Sequence, residues 1–130
     1  MIILKTLEEL HLMRESAQLV SKTLGMIAKE IKPGVTTLHL DKLAHDFIKD
    51  HGGYPAFLGM YGFPNSLCIS PNEEVVHGIP NDKPLKEGDV LSVDCGVYMN
   101  DFYGDHAYSF EVGEVAPETK KLLQVTKESL

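Results

Sequence analysis

Apolar residues recur at alternating spacings of three and four along Leu10, Met13, Ala17, Val20, Leu24, Ile27 and Ile31, the mark of a single apolar stripe on a long helix. Thr6-Leu7-Glu8-Glu9 has the form of a capping box, so the helix starts there, and Pro33-Gly34 stops it. The stripe serves either to pack the helix onto a sheet or as a coiled-coil seam, for which about three and a half heptads is short. A second helix opens at Thr36 or Thr37, presents Leu40, Leu43, Ala44, Phe47 and Ile48, and ends at Gly52-Gly53. His39, His45 and His51 are spaced by six along it, which spreads them around the helix as solvent or rim positions rather than as a metal cluster.

The pattern then changes. Tyr54 to Asn65 mixes aromatic and apolar residues with Gly59 and Gly62 and is bracketed by prolines, so it is no regular helix. A loop this apolar is either buried or lines an apolar pocket. Leu67 to Ser70 predicts a short strand, turned at Pro71-Asn72, and His77, after a β-branched pair and before a glycine, predicts a ring presented at a strand end. A lone histidine in such a place is more often structural than catalytic.

Lys86-Glu87-Gly88-Asp89 turns the chain into its central feature. The runs Val90 to Tyr98 and Phe102 to Val112 are rich in β-branched and aromatic residues, and Met99-Asn100-Asp101 between them supplies turn formers, which predicts an antiparallel hairpin. Two carboxylates, Asp94 and Asp105, sit inside these otherwise apolar runs. Opposed residues of an antiparallel pair point to one side, so a loop of even length puts both aspartates on the same face, as opposed or diagonal neighbours roughly 5 to 8 Å apart at Cβ. Two bare carboxylates at that range repel strongly in a low dielectric, and a divalent cation between them removes the conflict. Oxygen ligands suit magnesium, manganese, iron or zinc, and one carboxylate can bridge two ions. The alternative from the hairpin alone is that both aspartates are solvated positions on the wet face of the sheet. Past the hairpin, Pro117-Glu118 opens a helix whose stripe begins at Leu122, Leu123, Thr126 and Leu130, so the chain reads as ending inside a helix.

Long helices followed by a hairpin-rich sheet predict a single α+β domain over residues 1–130 with helices on one face of an antiparallel sheet. Apolar content of 43% and charged content of 24% are globular values and argue against disorder. A net charge of -7 without a Lys or Arg cluster argues against a nucleic-acid track and against an anionic membrane surface, and favours small or peptidic partners. Cys68 and Cys95 fall in no zinc spacing and read as reduced, buried thiols. The apolar start is too short for a signal peptide and no run reaches the roughly 20 residues of a spanning helix, which predicts a cytoplasmic location.

Taken together and in order, Cys68-Ile69-Ser70, Val76-His77-Gly78-Ile79-Pro80, Lys86-Glu87-Gly88-Asp89, and Asp94 followed by Gly104-Asp105 closely resemble type I methionine aminopeptidase. The resemblance runs from near residue 6 to the end. It implies one half, the N-terminal one, of the pita-bread fold, in which two α+β halves enclose a site for two divalent ions (Mn, Fe, Co or Zn). It further implies that Asp94 holds one metal, that Asp105 bridges both, and that His77 contacts the substrate and stabilises charge at the scissile amide. Phe57, Met60, Phe63 and Cys68 would line the pocket for the methionine side chain, an aromatic and sulfur-bearing surface suited to a polarizable thioether. Phe57 and Met60 stand where some bacterial members carry cysteine and tyrosine. His106 replaces a small residue after the bridging aspartate and, by strand alternation, points to the other face. The implied activity is removal of methionine from the N-termini of nascent polypeptides. One histidine and two glutamates of the implied ligand set are absent from the chain, which predicts little or no activity of the 130 residues alone. Two alternatives stand beside this reading. One is a non-catalytic half-domain that self-associates or binds peptides, and the other is a relative of the proline dipeptidases on the same fold.

Overall fold

Thr6 closes its capping box in both directions: Oγ1 accepts from the Glu9 N–H at 3.2 Å, and the Thr6 N–H donates to Glu9 Oε2 at 2.7 Å. From this cap α1 runs over Leu7–Glu30; α2, capped by Thr36, runs over Thr37–Asp50. The computed structural model describes residues 1–130 and continues with β1 (Tyr54–Pro55), a 3-10 turn at Met60–Gly62, β2 (Leu67–Pro71), β3 (Val90–Met99), β4 (Phe102–Glu111) and α3 (Pro117–Glu128). No helix is long and apolar enough to cross a membrane.

The sheet is antiparallel and centred on β3, with β4 along one side and β2 and β1 following each other along the other. Asn100 and Asp101 form a two-residue turn with φ of 55° and 65°, the left-handed pair that matches the twist of a tight hairpin. The loop is therefore even, and Met99 pairs with Phe102. Every second residue of β3 faces the helices, and Leu91, Val93, Cys95 and Val97 join Leu19, Val20, Leu24 and Ile27 of α1 and Leu40, Ala44 and Ile48 of α2 in one core. Both long helices thus cover one face of the sheet, the arrangement of half a pita-bread fold.

The buried face of α1 is rotated from the one that the apolar stripe predicts. Ala17 and Leu10 are exposed, whereas Ser16, Leu19 and Thr23 are buried. The cause is a close approach: a Cβ on Gly104 of β4 would lie 2.7 Å from the backbone of Ser16. Small residues permit that approach, and their hydroxyls are satisfied, Ser16 donating to the Met99 carbonyl at 2.8 Å and Thr23 to the Leu19 carbonyl at 2.8 Å. Burial of a polar side chain then carries no unpaired group.

Asp41 of α2 ties the helix to the start of β2. It is 7% exposed and accepts from the Ser66 and Leu67 N–H groups at 2.9 and 2.8 Å and from Asn65 Nδ2 at 2.9 Å. Asp41→Ala leaves two buried N–H groups without partners and is expected to cost about 2–4 kcal/mol in urea unfolding. Of the histidines around α2, His45 bonds Ser66 Oγ at 2.8 Å and His51 bonds the Phe47 carbonyl at 2.7 Å, so neither is spare for a ligand cluster. The predicted stripe on α3 is not buried; only Leu123 and Thr119 are partly covered, and the helix closes at Glu128 with Leu130 beyond it.

Candidate metal and substrate site

On the face of the sheet away from α1 and α2, β3 presents Ser92, Asp94 and Gly96, and β4 presents Asp105, Ala107 and Ser109. The register pairs Asp94 with Ala107 and Gly96 with Asp105, so the two aspartates are diagonal neighbours on one face. His106 pairs with Cys95 and points to the other face.

The His77 segment differs from its expected form. No strand lies between β2 and β3; residues 72–89 are irregular, and His77 has a φ of 60°. Its neighbour holds it there. The Gly78 N–H donates to Ser70 Oγ at 3.0 Å, and the Gly78 carbonyl accepts from the Ile69 N–H at 2.9 Å. These bonds press Gly78 so closely onto β2 that a Cβ would overlap the Ile69 carbonyl oxygen. Glycine is the residue that allows this contact, and the strained histidine beside it is exposed over the carboxylate face.

The apolar loop closes the third side. The Ala56 N–H donates to the Gly96 carbonyl at 2.9 Å, and the Phe57 ring lies where a Gly96 side chain would be, 2.6 Å from a Cβ built there. One cavity of about 470 Å³ takes in Phe57, Met60, Phe63 and Cys68 together with His77, Asp94 and Asp105. All seven residues singled out in the sequence therefore meet in one place. The cavity is also lined by Tyr61, Gly62, Pro64 and Ile79, which residue-by-residue reading of the sequence passes over. Ile79 could have been found from its place directly after His77-Gly78, and Tyr61 from its place between Met60 and Gly62.

No Lys or Arg lines this cavity. Burial, followed by the charge of Asp105, pushes the Asp94 carboxyl up to about 6, with the His77 ring and the Cys95 N–H pulling partly back. Burial and the Asp94 and Asp105 charges also hold the Cys68 thiol up at about 11, so it enters the cavity as a neutral, polarizable wall. An uncompensated pair of oxygen donors fits a hard divalent cation. The chain assembles no group of three or more His, Cys, Asp or Glu that could hold a metal ion by itself.

The raised Asp94 pKa has a sign. A carboxyl whose folded pKa exceeds its unfolded value stabilises the fold fully below about pH 4 and loses that contribution as pH rises through about 6. The group is only half-buried, and screening trims the effect to about 1 kcal/mol. In metal-free protein Asp94→Asn is expected to match the parent at pH 4 and to be more stable by about that amount at pH 7, read by thermal melts at both values. Equal melting temperatures at pH 7 would contradict a raised Asp94 carboxyl.

The same elements are found in known proteins. The model of metallopeptidase family M24 matches residues 11–130. Methionine aminopeptidase 1 of Bacillus subtilis is 48% identical over 130 residues, which is 100% of this chain and 52% of that protein. The crystal structure of methionine aminopeptidase from Rickettsia prowazekii superposes with a TM-score of 0.96 at 44% identity, over 98% of this chain and 52% of that one. A Xaa-Pro dipeptidase from Bacillus anthracis shares the fold, with a TM-score of 0.79 at 21% identity over 95% of this chain and 34% of that one. The chain spans about half the length of the curated relatives it matches. The family match takes in both hairpin aspartates, the histidine loop and the apolar wall of the cavity, and the chain belongs to metallopeptidase family M24.

Proposed function

We propose that residues 1–130 form the N-terminal half of a methionine aminopeptidase catalytic domain, acting in the cytoplasm on the N-termini of nascent polypeptides. The observation that carries this reading is the single cavity that brings an acid pair and His77 together with the apolar side chains of Phe57, Met60, Phe63 and Cys68. The apolar lining accepts the unbranched thioether side chain of a first methionine, to which an aromatic and sulfur-bearing wall is suited. Asp94 and Asp105 hold two divalent ions together with ligands from outside these residues. When bound, the ions supply Lewis-acid activation of water and of the scissile carbonyl. His77, exposed beside Asp94, donates a hydrogen bond to the reacting amide and orients it against the acid pair. The N-terminal amine of the substrate is attracted by a cavity that carries carboxylates and no lysine or arginine.

The test is a hybrid in which residues 1–130 replace the matching segment of the Bacillus subtilis enzyme. The manganese-loaded hybrid is expected to release methionine from Met-Ala-Ser and to leave Ala-Pro intact, while the 130 residues alone release none. A folded, metal-loaded hybrid that leaves Met-Ala-Ser uncut would contradict the proposal, and cleavage of Ala-Pro alone would favour the dipeptidase reading. A non-catalytic, self-associating half-domain has its own supporting observation, an open groove of about 770 Å³ between the hairpin and α3, with Val75, Val76 and Leu123 in its walls. Its mark would be a stable dimer on size-exclusion chromatography together with an inactive hybrid.

A further inference from the structure

Tyr61 is the most conspicuous side chain at the cavity. It is 104% exposed, yet it stands on a backbone with φ of 50°, a conformation that a bulky residue pays for with strain. The segment around it is not loose. The Phe63 N–H donates to the Met60 carbonyl at 2.9 Å, the Gly59 N–H to the Phe63 carbonyl at 2.8 Å and the Met60 N–H to the Phe57 carbonyl at 3.0 Å. Gly59 and Gly62, with φ of 82° and 78°, flank the tyrosine and let the chain turn tightly enough to make these bonds. A closed backbone ring thus holds a fully solvated phenol at the rim of the cavity, where Tyr61 is one of the lining residues. The ring makes no packing contribution to the core, and it is fully open to solvent. Asparagine or glycine would satisfy the turn at less strain, so the turn itself does not account for an aromatic residue there.

We propose that Tyr61 is a platform for the part of the peptide that follows the first residue, a substrate-binding contact rather than a catalytic one. This rests on the aminopeptidase reading above. With the first side chain against the apolar lining and the scissile amide beside His77 and Asp94, the rest of the substrate leaves across the open rim. An exposed phenol ring there gives the departing chain a flat apolar surface with a polar tip, able to stack on peptide planes and side chains without selecting a sequence.

The test compares Tyr61→Asn and Tyr61→Phe in the hybrid. Asparagine tolerates the left-handed backbone, so the loop is kept and only the ring is removed; phenylalanine keeps the ring. Tyr61→Asn is expected to raise KM for Met-Ala-Ser about three- to tenfold, the size of one aromatic contact, with kcat within twofold of the parent. It should raise KM less for the dipeptide Met-Ala, while Tyr61→Phe stays near the parent on both. An unchanged KM on Met-Ala-Ser with Tyr61→Asn would overturn the platform, as would an equal loss on the dipeptide and the tripeptide. An inactive parent hybrid would instead overturn the aminopeptidase reading on which the platform rests.

Discussion

Asp105→Asn in the hybrid is expected to lower kcat/KM for Met-Ala-Ser by at least about 100-fold, since loss of the proposed direct ligand exceeds the 10- to 100-fold effect of residues one step removed from a metal. The side chain is exposed on β4 and packs against no core residue, so the substitution keeps the fold. What it removes is one of two charges placed diagonally across the hairpin. Melting temperature at neutral pH should be unchanged or slightly raised in the absence of metal, because the repulsion with Asp94 is relieved. Loss of activity with a retained fold, read by circular dichroism and steady-state kinetics on the same sample, is therefore the expected pair of results. Full activity in manganese-replete buffer would remove Asp105 from the site.

Gly78→Ala should be the most damaging single methyl in the molecule. The new Cβ overlaps the Ile69 carbonyl oxygen, a backbone atom in the middle of β2 that cannot move aside, and lies 2.7 Å from the Glu74 carboxylate. The loop must lift, giving up its bonds to Ser70 Oγ and to the Ile69 N–H. Overpacking together with the exposed donors is expected to cost about 2–4 kcal/mol in urea unfolding. It also displaces His77, so activity of the hybrid should fall about as far as with His77→Ala. The comparison separates the two roles. His77 is exposed, so His77→Ala should lose activity without the stability loss, whereas Gly78→Ala should lose both. A Gly78→Ala protein as stable as the parent would show that the loop is not held against β2.

The hairpin was legible because its geometry is local. Asn100-Asp101 fixes a two-residue turn, a two-residue turn fixes parity, and parity puts Asp94 and Asp105 on one face with His106 on the other. Both helix starts were legible for the same reason, since Thr6 and Thr36 cap groups three residues away. Features decided by distant contacts were not. Which side of α1 is buried depends on Gly104, far along the chain, so a stripe counted from apolar residues alone missed Ser16 and Thr23. The anchoring role of Asp41 depends on donors at Asn65, Ser66 and Leu67, and nothing near Asp41 in sequence announces them. His77 was expected at a strand end because Val75 and Val76 favour strands. Instead Gly78 bonds sideways onto β2 and leaves both valines exposed. The meeting of Phe57 with Gly96 is likewise tertiary: the glycine in β3 is the space that the ring fills.

Manganese titration into the metal-free hybrid, followed by isothermal calorimetry, bears most directly on the claim that the acid pair on the hairpin is a metal site. The parent hybrid is expected to take up two ions at pH 7, with affinity weakening below about pH 6 as Asp94 takes up its proton. An Asp94→Asn, Asp105→Asn double variant of unchanged fold should lose that binding. A folded double variant that binds the same number of ions with the same affinity would contradict the account, because the metal would then be held without either carboxylate.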